Sequence, residues 1–273
     1  MSAGDAQITV KDLTMAYGSK VIQRDLTFTV RQGEVFIIMG GSGCGKSTLM
    51  RHLVGLQRPA KGSVLYGATD FWNAPDEQRE AMMRRWGILY QSGALWSSMT
   101  LAENIALPLE EYTSLSPRRI REIASLKLAL VGLSGFEDYY PAEISGGMKK
   151  RAGLARAMAL DPEILFLDEP SAGLDPISAS LLDQLIVELK DSLGTTVVAV
   201  THELASILAI GTDSVFLDSE TKTMIASGPP AKLLAECDNP TVHSFLTRGR
   251  ETRPAGASGQ DQAGCPSRSG EIP

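Results

Sequence analysis

Residues Gly40 to Ser47 read GGSGCGKS, the spacing G-x-x-x-x-G-K-[ST]. Ahead of them Glu34–Met39 (EVFIIM) is apolar and branched, as a buried strand is, and Thr48–Leu53 (TLMRHL) is helix-prone. A strand, a glycine loop and a helix in that order are the context a phosphate-binding loop requires. Gly40, Gly41, Gly43 and Gly45 let the backbone curl, with Ser42, Cys44 and Thr48 completing the loop, so that several N–H groups converge on one anion. The positive end of the following helix adds to that field. In such a loop Lys46 reaches the β- and γ-phosphates, and the Ser47 hydroxyl holds Mg²⁺. Cys44 matters through its backbone rather than its thiol. The string implies binding of a nucleoside triphosphate.

A second constellation stands far along the chain. Ile164–Glu169 (ILFLDE) is an apolar strand that delivers two acids at its C-terminal end, where ligands gather in parallel α/β sheets. Alone, such a string is a strand ending in solvated charges. Beside a phosphate loop, Asp168 is suited to complete a Mg²⁺ shell. Glu169 is then free to orient or deprotonate an attacking water, so the doublet points to hydrolysis. His202 follows the strand TTVVAVT at the same sheet edge and is placed near the γ-phosphate, whereas His52 and His243 read as structural or solvated. Gln91 ends a further strand, from which its amide could reach Mg²⁺ or the lytic water. Tyr17 offers a ring for adenine. Ser145, Gly146 and Gly147 open a strong helix, a second N-terminus receptive to an anion. The cations that follow, Lys149, Lys150 and Arg151, read as a solvated face.

These groups need elements to position them. Ile8–Tyr17 and Asp25–Val30 alternate like half-buried strands, and Gly62–Tyr66 and Gly87–Tyr90 read as short strands separated by turn chemistry at Pro75. From Leu101 to Leu160 the pattern is helical: Ser116 and Pro117 cap one helix, and another follows Ser145-Gly-Gly. Strand and helix then alternate: strand Ile164–Leu167, helix Ile177–Leu193, strand Thr195–Val200, helix Glu203–Ile210, strand Ser214–Leu217. Two short helices near Ala231–Glu236 and Thr241–Leu246 follow. This order predicts an α/β fold, a mostly parallel sheet wrapped on both faces with a helical insertion at about 95–160. From about Gly249 to Pro273 bulky apolar residues nearly vanish, predicting a disordered tail.

Composition narrows the partners. The chain has 273 residues, 43% of them hydrophobic, and a formal net charge of −6, which disfavours nucleic acid as a partner. Three cysteines without a pairing pattern suggest a reducing compartment. No apolar run reaches eighteen residues, and the start lacks a secretion signal, so any membrane-spanning partner must be another polypeptide.

Taken in order, Tyr17, GGSGCGKST, Gln91, ISGGM, ILFLDE, AGLDP around Asp175, and His202 resemble the ordered motif set of ATP-binding-cassette ATPases. The likeness covers roughly residues 8–248. It implies a P-loop NTPase fold: a RecA-like parallel core, an antiparallel β subdomain and an inserted helical subdomain, with residues 1–248 as one nucleotide-binding cassette. It also implies ATP and Mg²⁺ as cofactors and a head-to-tail homodimer. There Ser145, Gly146 and Gly147 of one copy close over ATP held by the other, and Asp175 lies at the contact between the two sites.

The usual signature Leu-Ser-Gly-Gly-Gln is altered here, Ile144 and Met148 replacing its first and last residues. Met148 followed by Lys-Lys-Arg, together with the stretch Tyr90–Leu109, is similar to the subfamily serving Mce/Mla-type lipid transporters of bacterial envelopes. That likeness implies an ATPase on the cytoplasmic face of the inner membrane, driving phospholipid transport through a separate permease, with Mce-type substrate-binding and regulatory subunits as further partners. An ATPase for another cargo (amino acid, metal or drug) differs only in what is moved. A soluble cassette ATPase acting on nucleic acid or the ribosome fits less well, because the chain has one motif set, no heptad run and no paired Cys-x-x-Cys.

Overall fold

The computed structural model describes residues 5–249. All but the first residue of the expected tail, and Cys265 with it, lies outside the described residues. The chain opens with a long antiparallel hairpin, β1 (Ala6–Tyr17) and β2 (Lys20–Arg31), and then enters β3 (Val35–Gly40). Helix α1 (Lys46–Leu53) follows the glycine loop. Strands β4 (Lys61–Tyr66) and β5 (Thr69–Asp70) return to the hairpin, giving a four-stranded antiparallel sheet in the order β2-β1-β4-β5. Helix α2 (Asp76–Met83) stands where turn chemistry was expected. It buries none of its residues, so no apolar stripe announces it, and Asp76 and Glu77 in its first turn complement the helix dipole.

After β6 (Trp86–Leu89) come three helices, α3 (Leu101–Tyr112), α4 (Pro117–Leu130) and α5 (Gly146–Ala157). Thr100 and Glu103 form a reciprocal capping box at the start of α3. At α4 the Ser116 hydroxyl accepts the Arg119 N–H and Pro117 opens the first turn, as expected. Helix α5 takes in Gly146 and Gly147 rather than following them, and it stops at Ala157, short of the expected Leu160. The remainder alternates: β7 (Ile164–Asp168), α6 (Pro176–Leu193), β8 (Thr196–Val200), α7 (Leu204–Ile210), β9 (Asp213–Leu217), an unanticipated edge strand β10 (Met224–Ser227), α8 (Pro230–Glu236) and α9 (Pro240–Leu246).

The second sheet has the order β10-β9-β3-β8-β7-β6, parallel except for β10. Its central strands β3 and β8 are buried at every residue, the mark of a sheet covered on both faces. Alternation divides their side chains between two cores. Val35, Ile37 and Met39 face the helices, while Phe36 and Ile38 face α1 and the antiparallel sheet. Phe28 stacks on Phe36 with ring centroids 5.2 Å apart, tying one sheet to the other. The helical insertion rests on the parallel sheet through α5, and the contact at Gly87 is so close that a Cβ there would lie 2.2 Å from the Ala157 carbonyl oxygen. Gly87→Ala should therefore force β6 and α5 apart and cost about 1–3 kcal/mol, read as a lowered thermal midpoint.

Candidate functional site

Parallel pairing aligns the strand ends. Ile38 of β3 sits opposite Val200 of β8, and Val200 opposite Asp168 of β7; Leu89 of β6 sits opposite Leu167. Within two residues of that line each strand delivers one sequence-predicted group: Gly40, His202, Glu169 and Gln91. Gly40–Gly43, Gly45–Thr48, Gln91, Glu169 and His202 line one cleft of about 890 Å³. Cys44 lies behind the loop, 1% exposed.

Two glycines make the loop possible. Gly40 has φ +146°, and a Cβ on it would lie 2.3 Å from the Leu217 carbonyl oxygen. Gly45 has φ +102° at the N-cap of α1, where no side chain caps the helix. The first helical bond is Leu49 N–H to the Gly45 carbonyl, 2.8 Å, so the N–H groups of Lys46, Ser47 and Thr48 have no partner inside the helix. An uncapped helix start whose first N–H groups are unclaimed by the helix is a fitting seat for phosphate oxygens. The buried Lys46 ammonium lies over the loop, donating to the carbonyls of Gly40 (2.9 Å) and Gly41 (3.0 Å).

Across the cleft the Ser47 hydroxyl donates to Asp168 Oδ1 at 3.3 Å. Burial raises the Asp168 pKa, and the Ser47 hydrogen bond opposes that rise. Gln91 shares a recess with Asp168, so three oxygen donors of the hard type converge there. Glu169 is 9% exposed and held at φ +51°, an αL conformation that non-glycine residues adopt rarely and that clusters at functional sites. Its Oε1 lies 2.8 Å from His202 Nδ1, and its Oε2 is buried with no partner among the described residues.

The remaining candidates lie elsewhere. Tyr17 is 47% exposed at the end of β1, and a hydrogen bond with Thr48 pulls its phenol pKa below the ordinary value. Ser145 caps α5, its hydroxyl accepting the Met148 N–H. Ser145 and Gly146 are exposed, and none of Ser145, Gly146 and Gly147 lines the cleft. Asp175 caps α6 by accepting from the N–H groups of Ile177 and Ser178, and a hydrogen bond from the Ser178 side chain, with these backbone bonds, lowers its pKa.

Two residues escaped the sequence reading. Gln23, fully buried in β2, donates its amide to the carbonyls of Cys44 and Asp218, both at 2.7 Å, and so braces the back of the glycine loop. Its inward aspect follows from a bulge: Leu13 pairs with Leu26 but Met15 with Gln23, and the extra residue in β2 reverses which side chains face the core. Asp25, two residues on, takes the positive φ of +55° at that irregularity. The second is Lys150. The reading of Lys149–Arg151 as a solvated face is overturned there: Lys150 is 7% exposed, and its ammonium donates to the Glu169 backbone carbonyl at 2.9 Å. Its place on the inner side of α5 was invisible because only the packing of α5 on β6 fixes which face turns inward.

Removing the ammonium should register in binding. Lys46→Ala should weaken nucleotide affinity about 10- to 100-fold, the worth of a charge-assisted hydrogen bond, measured by titration with a fluorescent ATP analogue.

Comparison with known proteins agrees with this geometry. Residues 23–172 match the family model described as ABC transporter. The chain is 41% identical over 251 residues to the "Probable ribonucleotide transport ATP-binding protein mkl" of Mycobacterium tuberculosis, covering 92% of this chain and 69% of that protein. It is 36% identical over 239 residues to the "Intermembrane phospholipid transport system ATP-binding protein MlaF" of Escherichia coli, covering 88% of each. Among solved structures it resembles cbiO1 from Clostridium perfringens (TM-score 0.78, 26% identity, 85% of this chain and 92% of that one). It also resembles the ATP-binding cassette MJ0796, solved as a dimer bound to ADP and Pi (TM-score 0.73, 28% identity, 81% and 97%). The chain belongs to the ABC transporter family, as an ATP-binding cassette that hydrolyses ATP.

Proposed function

We propose that this cassette, residues 1–248, powers lipid transport in a bacterial envelope through a separate membrane permease. Among the described residues no helix is long and apolar enough to cross a membrane, which suits a subunit docked on the cytoplasmic face of the inner membrane. The phospholipid cargo is supported by the likeness to MlaF and by Met148 with the loop after Gln91. The relative named for ribonucleotide transport keeps that second cargo in view.

The observation that carries the reading is the division of the site. One chain supplies the loop, Gln91, Glu169 and His202 in a single cleft, with Asp168 joined to it through Ser47, while Ser145, Gly146 and Gly147 do not line it. Two copies set head to tail give each cleft the helix start it lacks, with Asp175 at the contact between sites. Tyr17 stacks on adenine, and Lys46 with the loop N–H groups offsets the phosphate charge. Ser47, Asp168 and Gln91 would hold Mg²⁺, which would supply positive charge against that of the phosphates. Glu169, steadied by His202, takes the proton of the attacking water. The water oxygen bonds to the γ-phosphorus as the bridging bond to ADP breaks.

Glu169→Gln should retain ATP binding yet lower kcat by at least about 100-fold, and size exclusion in ATP should then show a long-lived dimer. Undiminished turnover would remove Glu169 from the base role. Pull-down from detergent-solubilised membranes should recover an integral-membrane permease and no RNA, and ATPase stimulation of that complex by phospholipid but not by ribonucleotide would assign the cargo.

A further inference from the structure

Lys150 has no part in the chemistry described so far, yet it is among the few charged side chains the fold buries. It projects from α5, five residues beyond Ser145, and reaches under the end of β7. Burial of an ammonium is costly without compensation, and here it comes from one place. The Glu169 carbonyl accepts its hydrogen bond at 2.9 Å, and the charges of Glu169 and Asp168 sustain the ammonium against the pull of burial on its pKa.

The bonded carbonyl belongs to a strained residue. Glu169 is held at φ +51° directly before Pro170, and such a conformation persists only when its surroundings over-determine it. Its backbone is gripped at both ends. The Glu169 N–H donates to the Val200 carbonyl of β8 at 2.8 Å, and its C=O accepts from Lys150 at 2.9 Å and from the Ala172 N–H at 3.2 Å. Of these three bonds only that from Lys150 comes from the helical insertion. The same helix is clamped to the loop after Gln91: Arg156 donates to the Ala94 carbonyl at 2.6 Å, and a Cβ on Gly153 would lie 2.9 Å from the Gly93 carbonyl oxygen.

We infer that Lys150 is a positioning residue for ATP hydrolysis: its buried ammonium holds the Glu169 backbone in the αL turn that aims the carboxylate into the cleft, so the angle of α5 sets whether Glu169 stands over the attacking water. The inference rests on the reading of Glu169 as the base. A cation on the helix that Ser145 caps thereby fixes the acid of its own protomer's cleft, and a tilt of α5 is felt at Glu169 without passing through nucleotide.

The test is Lys150→Met, which keeps length and apolar bulk while removing donor and charge, with Lys150→Gln as a second variant should methionine disturb folding. A melting curve and titration with a fluorescent ATP analogue establish that each variant folds and binds. The expected result is a fall in kcat of about 10- to 100-fold, the consequence of a misplaced catalytic group, with KM and nucleotide affinity within about two-fold of the parent protein. In single-turnover assays on a Glu169→Gln background, adding Lys150→Met should slow hydrolysis by less than about two-fold, because a residue acting through Glu169 has nothing left to position. Unchanged kcat in a folded variant, a rise in KM alone, or the full loss repeated on the Glu169→Gln background would each overturn the role of Lys150. Normal turnover in Glu169→Gln itself would instead overturn the base assignment, so the two failures are distinguishable.

Discussion

In-register parallel pairing of β3, β8, β7 and β6 is the constraint on which the site depends. Ile38, Val200 and Asp168 occupy one level across three strands, and Leu167 meets Leu89 one step lower. Each strand then needs only one or two more residues to place a loop glycine, an imidazole, a carboxylate or an amide on the same rim. A slip of one residue in any pairing would turn that strand's inward side chains outward. Burial of β3 and β8 on both faces makes such a slip prohibitive, since Phe36 and Ile38 serve one core and Ile37 and Met39 the other. Register here is a consequence of two hydrophobic cores sharing one sheet.

On that frame a few buried polar groups do the fine positioning. Gln23 spans from β2 to the carbonyls of Cys44 and Asp218, Lys46 holds the loop from within, and Lys150 grips Glu169 from below. Each would be costly to bury unpaired, and each is paired with a backbone carbonyl. Backbone carbonyls move only when the element moves, so these side chains convert element positions into site geometry. Glu169 itself keeps its Oε2 buried without a partner among the described residues, as Gln23 does its Oε1.

The placement of Ser145, Gly146 and Gly147 completes the logic. Their helix start is exposed and lies outside the cleft of its own chain, while the far end of the same helix is pinned to the parallel sheet at Gly87 and Gly153. One rigid helix therefore combines an exposed start, a lysine that grips Glu169 from within its first turns, and a far end fixed on β6.

Much of this was legible in the amino-acid sequence because it depends on local physics. The glycine loop, the acids after ILFL, the caps at Ser116 and Ser145 and the strand–helix alternation are short-range patterns, and the motif order named the family. The helix α2 and the edge strand β10 were not legible, since neither carries an apolar period long enough to stand out. Strand order, the bulge that turns Gln23 inward and the burial of Lys150 were decided only by tertiary structure. Which side of a strand or helix faces the core is settled by what packs against it, and for Lys150 that is β6, far earlier in the chain, with Glu169, 19 residues later, taking its hydrogen bond. Chemistry was written in residue types and spacing, and its aim in contacts that no local window contains.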